Sequence, residues 1–474
     1  MSYSIWIGKH LTADGRAYLA GYGDEPSSHW LELVPRRNHE PRAQITVGMS
    51  PQANMPGVLT SIAQTAVTAR HLRVSYSHYE GVPAPITNGG LNEYGVAVRD
   101  VWSPSNEALC AMTSPTQTGP NYSDLARIVL ERATSARTGV ELIGALITEH
   151  GYSTYGGNSH MIADADEAWV VIEFAGSAGL WVAERLGPDD IRVSRPGYIG
   201  EIPPDFPTDP NYLGAPHLIE FAAEHGWHDM GSDGGFDVNQ VYGDGKGAWA
   251  GARWVTDEMR TRARRPEQIT FTDIVWALRT ERLTGDTAGY GQIVPLGAVS
   301  SPDELVLWHA PAGAVAAPFT PFLMGVDEIP VEFGKHRYLT VGEPARFHDD
   351  RHPSAASNVP QRVEATEYAC QLFKRLLLLV CEHHELFLPE VTPVWEAFEG
   401  ECIERLGITV EQAAVLRRAD RHDLATAITT VCCTELAERS VRLGRAMLDS
   451  MEARSRLLFG IRTEPGWIGP QQIW

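Results

Sequence analysis

The sequence predicts an α+β layered domain, because strand patterns enclose a helical stretch in the first half of the chain. At the N-terminus, SYSIWIG and AYLAGY flank the dipeptide Asp14-Gly15, which suits a tight turn. The stretch YSDLARIVLERATSARTGVELIGALITEHG then has apolar residues at helical spacing. Strand patterns return in HMIADADEAWVVIEF and GLWVAERL. This order of strands, helices and strands indicates a domain built from both sheet layers and helix layers.

Local signals support each of these elements. Side chains alternate along a strand, so Ser2, Ser4 and Trp6 share one face of the first strand. The segment GGLNEYGVAVRDVW indicates a second hairpin, and Asn121 or Ser123 is placed to cap the first long helix.

The C-terminal part of the chain differs in character. After about Pro360 the sequence consists of long amphipathic helical patterns, which begin beyond the polar segment HDDRHPSAASNVP. We therefore expect a layered domain over residues 2–350 and a helical extension over residues 360–474. We interpret the extension as a packing or homo-oligomerisation element.

Composition narrows the class of function. The 474 residues carry 60 acidic and 39 basic side chains, a net charge of -21, which opposes binding to nucleic acid or to anionic membranes. The first twenty residues lack a secretory signal pattern, and no apolar run is long enough for a membrane span. The six cysteines show no CxxC spacing, so we expect reduced thiols and a cytoplasmic protein.

Familiar motifs of other enzyme classes are missing from the sequence. There is no GxSxG, P-loop, HExxH or Rossmann GxGxxG pattern. His383 and His384 are adjacent, so on a helix they point about 100° apart and do not share a metal. The sequence predicts no cofactor and no metal site.

The serine that follows the initiator methionine has two interpretations. Ser2 is small, so removal of Met1 would expose a hydroxyl and an α-amine on one residue, a nucleophile with its own base. Serine is also an ordinary second residue, and in isolation the position is uninformative.

The segments that follow Ser2 change this balance. SYSIWIGKHLTADGRAYLAG resembles the opening of the dipeptidase family of N-terminal nucleophile hydrolases, which is related to the bile-salt and penicillin acylases. The likeness continues in order through GLNEYGVAV, MIADADEAWVVIE, PGYIGEIPPDFPTDPNYLGAPHLIEFAAEHGW and WHAPAGAVAAPFTPFLMGVDEIP. This resemblance implies a four-layer αββα sandwich, and it covers about residues 2 to 335 and, more weakly, the helical tail.

The resemblance also implies a set of catalytic residues. Ser2 stands where the family has a nucleophilic cysteine, Asp24 matches an acid that orients the terminal amine, and Asn92 matches an oxyanion-hole amide. Arg253, in GARW, resembles an arginine of the related acylases. Alternatively, Asn92 makes only a hairpin turn and Arg253 only a surface ion pair.

Three positions depart from the family pattern. The nucleophile is serine instead of cysteine, Gly21 stands where the family has an arginine, and Arg195 stands where it has an asparagine. Arg195 would then supply positive charge near the scissile carbonyl or clamp a substrate carboxylate. The alternative is an exposed arginine paired with Glu201.

Together these observations predict an amide-bond hydrolase acting on a small peptide or amide substrate. An acyltransferase that passes the acyl group to an amine would share every step up to deacylation. A non-catalytic descendant that binds peptides is the alternative from another class.

Overall fold

A computed structural model describes residues 2–24, 28–50, 55–76, 86–231, 235–285, 287–336 and 367–460. Its strands, in chain order, are β1 (Tyr3–Ile7), β2 (Ala17–Gly23), β3 (His29–Val34), β4 (Arg37–Asn38), β5 (Gln44–Gly48), β6 (Leu59–Ala63), β7 (Val67–Thr68), β8 (His71–Tyr76), β9 (Ile86–Asn92), β10 (Ala97–Val101), β11 (Asn158–Ala163), β12 (Ala168–Glu173), β13 (Trp181–Leu186), β14 (Ile191–Ser194), β15 (Glu201–Ile202), β16 (Tyr212–Gly214), β17 (Phe236–Asp237), β18 (Tyr290–Leu296), β19 (Val306–Ala310) and β20 (Thr320–Leu323).

The α-helices of the described residues fall between the strand groups and at the C-terminal end. They are α1 (Glu107–Ala111), α2 (Tyr122–Arg132), α3 (Ala136–His150), α4 (Leu218–Glu224), α5 (Val238–Tyr242), α6 (Ala250–Ala263), α7 (Phe271–Arg279), α8 (Ala369–Glu382), α9 (His384–Arg418) and α10 (His422–Phe459). Asn121 caps α2 in a capping box with Asp124, as the sequence predicts.

One sheet carries the N-terminal strand at its interior. It has six strands in the order β14-β1-β2-β18-β19-β20, and the pairs are antiparallel. Ser4 lies opposite Ser194 on one side and opposite Gly21 on the other. The chain end at Ser2 is therefore flanked by the ends of two neighbouring strands.

The second sheet has eight strands in the order β16-β13-β12-β11-β10-β9-β8-β3. It packs against the first sheet through one large apolar cluster, and α2 and α3 cover its other face through a second cluster. Helix α7 and the C-terminal helices cover the outer side of the six-stranded sheet. The α+β arrangement in four layers is confirmed, and so are the two hairpins expected from the sequence.

The C-terminal helices share the core of the six-stranded sheet. Arg279 at the end of α7 forms a buried bidentate ion pair with Glu399 of α9, at 3.0 and 2.5 Å. Trp395 donates its indole N–H to the carbonyl of Ala316 at 2.9 Å. The expected boundary between residues 350 and 360 lies outside the described residues.

Two further properties concern membrane spans and cysteines. Among the described residues, no helix is both long and apolar enough to cross a membrane. All six cysteines are free thiols, and Cys402 and Cys433 have pKa values raised by burial.

Candidate active site

Ser2 lies half-buried directly before β1, beside the C-terminal end of the antiparallel neighbour β2. Its hydroxyl oxygen accepts a hydrogen bond of 3.2 Å from the backbone N–H of Asp24, which directly follows β2. The first strand and the predicted orienting acid are thus brought together, although 22 positions separate them in the sequence.

The carboxylate of Asp24 is held from a third strand. Thr287, just before β18, donates its hydroxyl to Asp24 Oδ1, and the N–H of Gly289 donates to the carbonyl of Gly23 at 2.8 Å. The sequence reasoning missed Thr287. It carries no motif, and only the pairing of β18 with β2 places it at this point.

Two tyrosines behind Ser2 anchor the strand ends to the helical layer. The Tyr3 hydroxyl donates to the carbonyl of Ala277 in α7, and the Tyr22 hydroxyl donates to the carbonyl of Leu283 at 2.6 Å. Their rings meet edge to face with centroids 4.4 Å apart. Burial raises the pKa of Tyr3 well above its usual value, so this hydroxyl stays protonated and serves as a fixed donor.

Arg195 belongs to this buried layer. Its side chain is 0% exposed, its guanidinium donates to the hydroxyl of Tyr22, and its Cζ lies 5.9 Å and 5.8 Å from the ring centroids of Tyr3 and Tyr22. The alternative of an exposed arginine paired with Glu201 is therefore wrong. Full burial also opposes the second expected role of Arg195, which is to clamp a substrate carboxylate. Its first expected role, to supply positive charge near the scissile carbonyl, stays a prediction.

A second buried arginine, which the sequence reasoning missed, lies at Gly21. A Cβ atom at Gly21 would lie 3.3 Å from Cγ of Arg99, whose side chain crosses from β10 of the other sheet. The Arg99 guanidinium donates to the carbonyl of Tyr22 at 2.7 Å and pairs with Asp100. The position where the family has an arginine is therefore still beside a guanidinium, supplied by another strand.

The contacts of Asn92 contradict its expected role in an oxyanion hole. Its side chain is fully buried, and its amide nitrogen donates to the carbonyls of Leu130 at 3.2 Å and Ala133 at 2.8 Å. Its amide oxygen accepts from the N–H groups of Tyr94 and Val96, each at 3.0 Å. The two bonds from the amide nitrogen fasten the β9–β10 turn to the end of α2, and the two to the amide oxygen close the turn itself, so Asn92 is a turn residue with no donor left for a substrate.

The catalytic role expected of Arg253 stays a prediction. Its side chain is exposed on α6, and its guanidinium donates to the carbonyl of Ala248, just before that helix. The surface ion pair that was its alternative is absent, since no ion pair of Arg253 occurs in the described part of the chain.

No metal site is visible around these residues. The described ranges contain no group of three or more His, Cys, Asp or Glu side chains that could hold an ion. The chemistry available at Ser2 is that of a hydroxyl, a neighbouring backbone N–H, a carboxylate and, once Met1 is removed, an α-amine.

Comparison with known proteins finds similarity to a peptidase family and to probable dipeptidases. Residues 68–251 match the model of Peptidase family C69. A probable dipeptidase of Salmonella dublin is 31% identical over 156 residues, which are 32% of this chain and 34% of that protein. A probable dipeptidase of Latilactobacillus sakei is 28% identical over 246 residues, which are 51% of this chain and 48% of that protein. The resemblance to the dipeptidase family, which the sequence indicates, is confirmed.

The matched stretches span about a third to a half of the length of these relatives. Among solved structures, a mutant conjugated bile acid hydrolase from Clostridium perfringens aligns over 68% of this chain and 92% of its own, with 13% identity and a TM-score of 0.33.

Proposed function

We propose that this protein is an amide-bond hydrolase that acts on small peptides through Ser2, after removal of Met1. The observation that carries the proposal is the contact between Ser2 and Asp24, together with the hydroxyl of Thr287 on the Asp24 carboxylate. The similarity to probable dipeptidases supports the same class of reaction.

The reaction then needs few groups. The Ser2 hydroxyl oxygen attacks the carbonyl carbon of the substrate, and the Ser2 α-amine takes the hydroxyl proton, directly or through water. The amine passes this proton to the leaving nitrogen as the C–N bond breaks, and an ester on Ser2 remains. A water molecule attacks the ester carbonyl, its proton moves to the α-amine, and the Ser2 oxygen leaves and recovers a proton.

Asp24 has a positioning role in this scheme. Its backbone N–H already donates to the Ser2 oxygen, and Thr287 restrains its carboxylate near the chain end. A carboxylate beside the α-amine would orient that amine and stabilise its protonated form between the two proton transfers. The buried guanidiniums of Arg99 and Arg195 oppose this protonation and help keep the amine neutral before substrate binds.

Two other outcomes belong to the same test. In an acyltransferase, an amine instead of water would attack the Ser2 ester, and product analysis with an added amine separates the two reactions. If Met1 is retained, the candidate base is tied up as an amide, and a peptide-binding protein without catalysis is favoured instead. A cytoplasmic location is part of the proposal and agrees with the free thiols of the six cysteines.

The experiment combines intact mass with the turnover of a panel of dipeptides by three variants. We expect the mature protein to lack Met1, Ser2→Ala to lose activity, and Ser2→Cys to retain it. Ser4→Ala is the matched control, since Ser4 lies two residues further along the same face of β1 and is fully buried. Undiminished turnover in Ser2→Ala would refute the proposal.

A further inference from the structure

Two adjoining cavities lie at the edge of the six-stranded sheet, where α6 begins beside β14. The first has a volume of about 350 Å³ and is lined by Lys246, Ala248, Trp249, Ala250 and Arg253. The second has a volume of about 190 Å³ and shares Ala248 and Arg253 with the first. The two cavities adjoin at these residues and are together called the recess, and the first alone has a size suited to a small molecule.

Basic side chains outnumber acidic ones around this recess, where Asp257 is the carboxylate among the lining residues, although the protein as a whole is strongly acidic. Arg192 and Arg260 line the second cavity, and they are paired with Glu184 at 2.7 Å and Asp257 at 3.5 Å.

Lys246 and Arg253 differ from these two arginines. Within the ranges that the structure describes, neither forms an ion pair with a carboxylate, and the guanidinium of Arg253 donates only to the carbonyl of Ala248. Lys246 and Arg253 thus face the first cavity without a direct ion pair in the described ranges, and the lining carboxylate of the second cavity, Asp257, is paired with Arg260.

We propose that this recess binds the carboxylate of a small organic anion between Lys246 and Arg253. A guanidinium and an ammonium supply several charge-assisted donors to one carboxylate, which is the interaction that Arg favours with this group. Trp249 gives the recess an apolar wall for the carbon skeleton next to the carboxylate. A carboxylate attached to an apolar group, such as the C-terminus of a short peptide, has the matching chemistry.

The recess adjoins the strand that flanks the nucleophile. The N–H of Trp249 donates to the carbonyl of Arg195 at 3.2 Å, and Ser194 is paired with Ser4 of β1. With neighbouring strands about 4.8 Å apart, two such steps place Trp249 on the order of 10 Å from Ser2. The second cavity lies further along β14, beside the residues that pair with Ile5, Trp6 and Ile7. An extended chain of two to three residues covers about 7 to 10 Å. Buried Ser194 and Arg195 separate the recess from β1, so a dipeptide or tripeptide held at Ser2 would have to pass around the end of β14 to bring its carboxylate to Arg253.

The carboxylate has two possible sources, which share this chemistry. It is either the C-terminal group of the substrate of the proposed reaction or a free carboxylic acid that acts as an effector. The first source rests on the proposed function, whereas the existence of the site does not.

Binding is tested without turnover, on the full chain carrying Ser2→Ala. Calorimetry compares N-acetyl-alanyl-alanine with its C-terminal amide and with acetate. We expect the acid to bind at least about tenfold more tightly than the amide, or acetate itself to bind. The double variant Lys246→Gln with Arg253→Gln should abolish either effect. Arg264→Gln is the matched control, because it removes the same charge just after α6, outside the recess. Equal binding of acid and amide together with no binding of acetate overturns the proposal.

Kinetics of the protein with Ser2 intact identify the source. For a substrate carboxylate, Arg253→Gln raises KM for the peptide acid about tenfold, leaves KM for the peptide amide unchanged and preserves kcat. For an effector, acetate changes the turnover of the peptide amide, and Arg253→Gln abolishes that change. Loss of turnover in Ser4→Ala as well as Ser2→Ala would count against the proposed function, and the calorimetric result would still decide the anion site.

Discussion

The buried ion pair between Arg279 and Glu399 provides a quantitative test of how the C-terminal helices support the active-site sheet. The Glu399 carboxylate binds both terminal nitrogens of Arg279, at 3.0 and 2.5 Å, and also accepts from the N–H of Phe319 at 2.8 Å. The two side chains are only 7% and 6% exposed. Arg279 ends α7, the helix whose Ala277 carbonyl accepts the Tyr3 hydroxyl behind Ser2.

The perturbation is Glu399→Gln, which removes the charge and keeps the size of the side chain. Removing one partner of a buried ion pair leaves the other charge uncompensated, at a cost of about 3–5 kcal/mol. The glutamine oxygen still accepts from the Phe319 N–H, so we expect the lower end, about 3 kcal/mol of unfolding free energy. Glu390→Gln is the matched control: its bidentate pair with Arg454, at 2.6 and 2.8 Å, is 43% and 37% exposed.

The assay is urea unfolding of the full chain, followed by circular dichroism. The control should lose no more than about 1 kcal/mol, because surface ion pairs contribute little. The double variant Arg279→Met with Glu399→Gln should lose less than Glu399→Gln alone, since it also removes the unpaired charge. If Glu399→Gln and Glu390→Gln proved equal, the ion pair would not fasten the helical extension to the core.

Three further predictions concern the site and the titration of the fold. Asn92→Ala should lower the unfolding free energy by at least about 2 kcal/mol, because four hydrogen bonds, three of them buried, are lost, and it should leave kcat within about threefold. Loss of an oxyanion donor would instead lower kcat strongly without destabilising the fold. Burial, with Arg73 nearby, lowers the pKa of His71 to about 4, so the folded state binds fewer protons than the unfolded state between pH 4 and about 6.5. Stability should therefore fall as pH falls through that window, by up to about 1.4 kcal/mol per pH unit for this residue, and His71→Gln should flatten the urea-midpoint profile. The rate constant kcat/KM should rise with pH through an apparent pKa at or below about 7.7–8.0, that of a terminal amine, and a rate independent of pH from 5 to 9 would exclude the α-amine as the base.

The sequence predicts the fold well where short stretches contain the signal. Alternation marks β1 and β2, apolar spacing marks α2 and α3, and Asn121 caps α2 in the expected place. These features depend on neighbours within a few residues, which a single sequence contains.

The site was predicted less completely, because its contacts join distant parts of the chain. The pair of Ser2 and Asp24 was found through the order of family segments, but Thr287 contacts Asp24 across 263 positions. Arg99 reaches Gly21 from the other sheet, and only the packing of the two sheets reveals that neighbour.

Asn92 shows how a family pattern can mislead at a local turn. In NEYG the asparagine side chain accepts from the N–H groups two and four residues later, which is a common use of Asn at a turn. The simpler alternative, a hairpin turn, accounts for its amide oxygen. Its amide nitrogen is taken up by the end of α2, a contact that needs the tertiary structure.

Trapping the acyl-enzyme tests the central claim most directly. The protein is mixed with a peptide ester substrate, quenched in acid within the burst phase and digested, and the fragments are examined by mass spectrometry. The account predicts that the acyl group is found on the peptide that begins at Ser2, with Met1 absent, and that hydroxylamine removes it. An acyl group on any other residue, or steady turnover by a protein that retains Met1, would contradict the account.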